Sequence, residues 1–438
     1  MSAVAILFVF IIFCALYLRG TRRHINHPPG PKPLPFIGNI LDMPSSHPWE
    51  TYREWRKTYS SDIIYLDLPL QPTIVLNSFE AATDLLERRS GIYSDRIKSV
   101  VVEMLTWDFS FGFMPYGAKW RTHRRMFHQW FYQSSVKTYC QPQLEHARVF
   151  LGLVLKSPGD TRKHIRFLVT ATIFAITYGR KILDMDDEYV IAASKSIEGI
   201  NQAAIPGRFW VEYMPFLRRI PSWVPGTYSR RFAEEHIPYV KGSVDKPYLE
   251  TKEAMDQGTA SPSLAVTLIN YVKSRYGDTK DEAQYDETAR NVLAIAYAAA
   301  ADTTTAALES FLLAMALHPD VQRKAQAELD AVVGPSRLPE FEDLEGMPYI
   351  QAVLMEVLRW MPVTPIAIPH VTIADDEYQG YHIRKGTTVI ACTWTMTRDP
   401  EVYPNPDRFL PERFLRGDGT INPDVRDPTT LAFGFGRR

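Results

Sequence analysis

Asp302 is followed by Thr303, Thr304 and Thr305 inside an otherwise apolar, alanine-rich stretch. A carboxylate beside hydroxyls can hold and pass protons, and acids kept from water are enriched at functional sites. Three β-branched residues in a row are mildly unfavourable in a helix. A threonine hydroxyl can also bond back to a carbonyl one turn earlier and bend the helix. Two readings stand: a local distortion beside a cavity, or the solvated polar face of a helix. Glu356 and Arg359 lie three apart in YIQAVLMEVLRW, on one helix face. Such pairs are common on exposed helices. Apolar neighbours favour burial here, where each charge needs the other. Trp120 and Arg124 stand four apart in KWRTHRR, which taken alone reads as a solvated basic helix. Phe433-Gly434-Phe435-Gly436 opens like a dinucleotide turn, but neither a third glycine nor a helix follows before Arg437 and Arg438.

Other chemistries have no carrier. The sequence contains no GxxxxGK[ST], GxSxG or HExxH, and its 11 histidines show no metal-ligand spacing. The three cysteines, Cys14, Cys140 and Cys392, are odd in number and widely spaced, so they suggest no disulfide framework and a reducing compartment for the body. A net charge of -1 excludes a general polyanion binder, though not a local basic patch. Of the 438 residues, 45% are hydrophobic, enough for a substantial core.

The elements that must position these residues are mostly helical. Apolar periodicity marks helices over Trp49 to Tyr59, Phe79 to Arg88, Lys119 to Tyr132, Gln143 to Leu155, Ile165 to Tyr178 and Asp187 to Asn201. Asn291 to Leu317 is the longest, stopping at His318-Pro319. Asp302 and Glu309 argue against a membrane span there, so a helix through the centre of a soluble domain is expected. β-like alternation appears at Ile63 to Leu68, Thr73 to Leu76, Ala367 to Ile373 and Tyr381 to Trp394, with a turn at Lys385-Gly386. That order is not βαβ alternation and excludes a doubly wound sheet. DPEVYPNPDRF followed by PERF, Pro411 to Phe414, is a proline-punctuated meander whose aromatics argue for ordered packing.

The N-terminus is apolar from Ala3 to Leu18, then basic at Arg19, Arg22 and Arg23. Positive charge after the apolar run is the order of a retained anchor with the body on the cytosolic side, rather than of a cleaved signal peptide. The expected organisation is an anchor over 1–19, a proline-rich hinge over 20–40 and one domain over 41–438.

Taken together, in order and spacing, these residues resemble the cytochrome P450 superfamily of haem-thiolate monooxygenases, from the anchor to Arg438. The closest class is microsomal, and PSWVPG (Pro221 to Gly226) is similar to fungal members. The resemblance implies a mainly α fold with small β-sheets after one N-terminal transmembrane helix, in the endoplasmic reticulum membrane. It implies haem b as cofactor, with Arg96, Trp120, Arg124, Ala299, Ala300, His370, Phe433, Gly436 and Arg438 around it. Asp302 and Thr303 would be catalytic, in proton delivery. Glu356, Arg359 and Arg413 of PERF would form a buried structural triad. Where the family usually has glycine, this chain has Ala300. No residue is a metal ligand: FGFGRR matches the start of FxxGxRxC, and the axial cysteine is expected two residues beyond Arg438, so the chain reads as truncated before the haem loop and last elements.

The implied activity is oxidation of a lipophilic small molecule with O2, in secondary metabolism. The implied partners are an NADPH-cytochrome reductase and the membrane, for a monomer that binds no nucleic acid. Lys119, Arg121, Arg124, Arg125 and Arg437 would steer an acidic partner. Val101 to Phe113 is apolar and aromatic, as a pocket lid would be, and Ile205 to Trp223 suits a substrate or membrane surface. The alternative is a haem-free fragment or pseudoenzyme lacking the thiolate, with an anchored helical scaffold as a third reading.

Overall fold

The computed structural model describes residues 26–69, 71–132, 137–205 and 208–438, together with Ile12. The anchor expected over 1–19, Ile12 apart, and Cys14 lie outside the described residues. Among those described, no helix is long and apolar enough to cross a membrane.

The longer helices are α1 (Pro48–Thr58), α2 (Ala118–Phe131), α3 (Cys140–Lys156), α4 (Thr161–Tyr178), α5 (Glu188–Ala203) and α6 (Tyr228–Val244). They continue with α7 (Lys246–Asp256), α8 (Leu264–Tyr276), α9 (Glu282–Leu317), α10 (Pro319–Val333) and α11 (Pro348–Trp360). The strands are β1 (Ile63–Leu66), β2 (Thr73–Leu76), β3 (His370–Val371), β4 (Asp376–Tyr378), β5 (Tyr381–Ile383) and β6 (Thr388–Ala391). Caps explain several ends. The Asp187 carboxylate accepts from the Tyr189 amide at the start of α5, and the Ser263 hydroxyl from that of Val266 at the start of α8. Helix α9 stops at His318 because Pro319 disfavours helical geometry before it.

The chain divides into two compact units. The first comprises Met1–Ile97 and Met355–Arg438. Its four-stranded sheet has the order β1-β2-β6-β3, with β2 and β6 parallel and the other pairs antiparallel. Strands β4 and β5 form a separate hairpin. Both faces of β2 are buried, which fits its unbroken Thr-Ile-Val-Leu run. The second unit, Lys98–Leu354, is helical and holds one large core. Helix α9 runs through that core and buries Val292, Leu293, Ala296 and Tyr297, the Tyr297 ring lying tilted 4.7 Å from that of Phe174 of α4.

Three expectations change. The Lys385-Gly386 turn does not join two paired strands: β5 pairs with β4, and β6 goes to the other sheet beside β2. Backbone periodicity cannot choose between such partners. Helix α9 begins at Glu282 rather than Asn291, because Thr288 and Ala289 are already buried in the core. The proline-rich hinge is no free strut over its described part. Pro29 accepts from the Tyr65 amide of β1, His27 stacks 4.3 Å from the Tyr65 ring, and buried Asn39 bonds both Pro31 and Asp67.

Candidate haem site

In the first unit, three basic side chains gather on the backbone of Tyr93-Ser94-Asp95-Arg96. His370 Nδ1 lies 2.7 Å from the Tyr93 carbonyl and so donates to it, which leaves Nε2 unprotonated in the neutral ring. Arg438 Nε donates to the Ser94 carbonyl at 2.7 Å. Arg96 is buried and donates through Nη1 to the carbonyls of Ile368 (2.6 Å) and Pro369 (2.7 Å). Burial, and then repulsion from Arg438, push Arg96 down to about 9, against the attraction of Asp95. Burial, and then the charge of Arg96, push His370 down to about 3. His370 is therefore uncharged at neutral pH, and the positive charge of the cluster rests on Arg96 and Arg438.

The loop that delivers Arg438 depends on Gly436. Its φ is +72°, and a Cβ there would sit 2.1 Å from the Leu86 carbonyl oxygen. No side chain larger than hydrogen fits without moving backbone. Phe435 is buried 6.1 Å from Phe79, whereas Phe433 is 79% exposed.

Glu356, Arg359 and Arg413 come together elsewhere in this unit. Arg359 forks onto Glu356, Nε to Oε2 at 2.7 Å and Nη2 to Oε1 at 2.8 Å, and both side chains are fully buried. Arg413 Nε reaches both Glu356 oxygens at 3.3 and 3.2 Å, and the Leu410 amide adds a third donor at 2.7 Å. Arg359 also donates to the Thr397 carbonyl, and further guanidinium protons go to carbonyls of the proline-punctuated meander: Pro406 and Arg408 from Arg359, Pro404 and Asn405 from Arg413. The triad thereby ties α11 to an otherwise irregular loop.

In the second unit, Trp120 is buried and Arg124 half-buried on α2. Arg124 has no hydrogen bond or ion pair among the described residues, and burial alone lowers its pKa. Helix α9, largely buried from Thr288 to Tyr297, opens at Ala299, Thr303 and Thr304, which are exposed, with Ala300 half-buried beside them. Thr303 Oγ1 donates to the Ala299 carbonyl at 2.7 Å and Thr305 Oγ1 to that of Ala301. Asp302 is half-buried and accepts from Asn201 Nδ2 of α5 at 3.1 Å. The helix continues from Glu282 to Leu317 without a break at the threonines, so of the two readings the structure supports the polar helix face. Back-bonding satisfies the hydroxyls without opening the ladder.

Two further placements bear on chemistry. Cys392 is fully buried, with its thiol pushed up to about 11 by burial, and accepts from Thr395 Oγ1 at 3.1 Å. Cys140 is half-buried at the start of α3. The two segments expected to face a ligand are latched together. Glu212 accepts from the Ser99 hydroxyl (2.6 Å) and from the Val100 and Val101 amides (3.0 and 2.9 Å), capping the helical turn that opens Val100–Met104. Val101, Trp107 and Phe109 are buried in the core of the unit. Glu212 carries no sequence signal, since its partners lie 111 to 113 residues away.

Haem, the group the resemblance implies, fits these observations. It brings carboxylates, and Arg124 of α2 is a half-buried guanidinium with no partner among the described residues. It also brings a flat apolar ring, which an alanine-threonine helix face can approach closely.

The cytochrome P450 family profile matches residues 28–438. A cytochrome P450 monooxygenase of Coprinopsis cinerea, COX2, is 40% identical over 420 residues, covering 96% of this chain and 79% of its own length. Tryptamine 4-monooxygenase of Psilocybe cyanescens is 39% identical over 430 residues, covering 97% and 84%. A cytochrome P450 monooxygenase of Rhodocybe pseudopiperita, ple1, is 40% identical over 429 residues, covering 97% and 80%. With the profile spanning almost all of the described residues and fungal relatives at this identity, the chain belongs to the cytochrome P450 family of oxidoreductases, as a monooxygenase.

Proposed function

We propose that the protein oxidises a lipophilic small molecule with O2, using haem b and electrons from an NADPH-dependent reductase at the endoplasmic reticulum membrane. The observation that carries this reading is Arg124 of α2, half-buried and without a partner among the described residues, one helical turn from buried Trp120. These two groups would hold a haem carboxylate, Trp120 through its indole N–H. When bound, haem supplies the oxygen-activating iron. Cys392, buried and held as a thiol at neutral pH, is a core residue.

The remaining work falls to side chains of α9. Ala299 and Ala300 leave room against the ring. Thr303 Oγ1 donates its own proton to the Ala299 carbonyl and so offers lone pairs to a water. Asp302, held by Asn201, keeps a carboxylate one residue away that can take a proton from solvent and pass it on to that water. The buried aromatics Trp107 and Phe109 exclude bulk water from their surroundings. Lys119 is engaged with Glu287 at 2.9 Å, so steering of an acidic reductase falls to exposed Arg121 and Arg125.

The test is the carbon monoxide difference spectrum of the reduced, haem-loaded full-length gene product. A thiolate-type Soret band is expected. A haem-loaded protein showing only the band of a nitrogen-ligated haem would refute the reading.

A further inference from the structure

His123 is a buried residue of α2 that the haem reading does not use. It lies between Trp120 and Arg124 in sequence and, at helical spacing, within about 100° of both around the helix. Its ring is 1% exposed. Nδ1 lies 2.9 Å from the Lys119 carbonyl, so Nδ1 carries the proton and Nε2 accepts. The donor to Nε2 is Asn291 Nδ2 of α9, at 3.1 Å, and Asn291 is itself 1% exposed. The amide orientation is consistent: Asn291 Oδ1 accepts from Arg290 Nη2 at 3.4 Å, and Arg290 is fixed by Asp245 at 2.8 Å. Four residues earlier in each helix, Lys119 Nζ pairs with Glu287 at 2.9 Å. Four residues later, Phe127 and Ile295 both pack against the large core. The pairs 119 with 287 and 123 with 291 advance in the same direction, so α2 rides along α9 in a four-residue register.

Among these contacts only the His123–Asn291 bond is buried, directional and polar. An apolar contact tolerates sliding and an exposed ion pair adds little. A buried polar pair is satisfied at one register only, and a slip by one turn would leave two orphaned groups at about 1–3 kcal/mol each. We propose that His123 and Asn291 are a positioning pair that sets the axial register of α2 on α9. The pair thereby fixes where Trp120 and Arg124 meet the haem carboxylate, relative to the Ala299–Thr303 face two turns beyond Asn291. The inference rests on the haem reading of Arg124.

The experiment compares binding of haemin and of haemin dimethyl ester. Their affinity ratio reports the carboxylate contact and cancels changes in overall stability. Wild type should prefer the free acid by at least about tenfold, as a charge-assisted bond requires. His123→Leu with Asn291→Leu removes both polar partners together, which leaves the urea midpoint near wild type while the preference falls to about threefold or less. Asn291→Ser, a milder change whose hydroxyl falls short of Nε2, should lower it similarly should the apolar pair fail to fold. Exchanging the residues, His123→Asn with Asn291→His, should recover part of the preference. A wild-type preference retained in the paired-leucine variant and in Asn291→Ser overturns the inference alone. A wild type without any preference overturns the haem reading and the inference with it.

Discussion

Arg359 and Arg124 are both arginines drawn out of water, and the protein treats them oppositely. Arg359 is fully buried, yet Glu356 and two meander carbonyls satisfy its guanidinium. Arg124 is only half-buried and has no partner among the described residues. Arg96 lies between the two, bonded to the Ile368 and Pro369 carbonyls and attracted by Asp95 but repelled by Arg438. A charge enclosed with its counter-charge is structure; a charge enclosed with none is preparation for a ligand. The contrast teaches that burial alone does not separate the two roles, whereas charge balance does.

The largest effect should come from unbalancing the closed cluster. Glu356→Ala leaves Arg359 and Arg413 buried without a counter-charge and should lower unfolding free energy by about 3–5 kcal/mol in urea titration. A loss below that of an ordinary surface substitution would show the triad to be dispensable. The open cluster should respond in the reverse sense. Arg124→Leu relieves an uncompensated charge and should raise the stability of the haem-free protein by about 1 kcal/mol, while weakening haemin binding about tenfold. Losing both stability and binding would make Arg124 structural, like Arg359.

The smallest effect concerns pH. His370 has a folded pKa of about 3 against an ordinary value of about 6.5, so the unfolded chain takes up the proton first as pH falls. The stability this group contributes is present above about pH 6.5 and lost as pH falls toward 3, at up to about 1.4 kcal/mol per unit. Haem-free wild type should therefore lose about 1 kcal/mol more than His370→Gln between pH 7 and 5.5. Equal losses would place the imidazole in contact with water.

Legibility in the sequence followed the range of the interaction. Helices α1, α2 and α5 were visible because their periodicity is local, as is the Asp187 cap of α5. Glu356 and Arg359 were visible as a pair because three residues on a helix face is also local. Arg413 entered only through the family resemblance, since nothing in PERF alone points back 57 residues to Glu356. Helices α6, α7 and α8 carry no motif and were not singled out. The partner of β6 was not legible, as a four-residue strand in a buried sheet reads alike beside either neighbour. Glu212 on Ser99 and His123 on Asn291 were invisible, because each joins residues more than 100 apart.

The account turns on whether the unbalanced arginines exist to hold the carboxylates of haem. Haemin and its dimethyl ester, titrated against wild type and against Arg124→Leu, test that directly, because esterification removes the charges and little else. The account predicts that wild type binds the free acid at least about tenfold more tightly than the ester, and that Arg124→Leu loses most of this preference. Equal binding of acid and ester by wild type would contradict it.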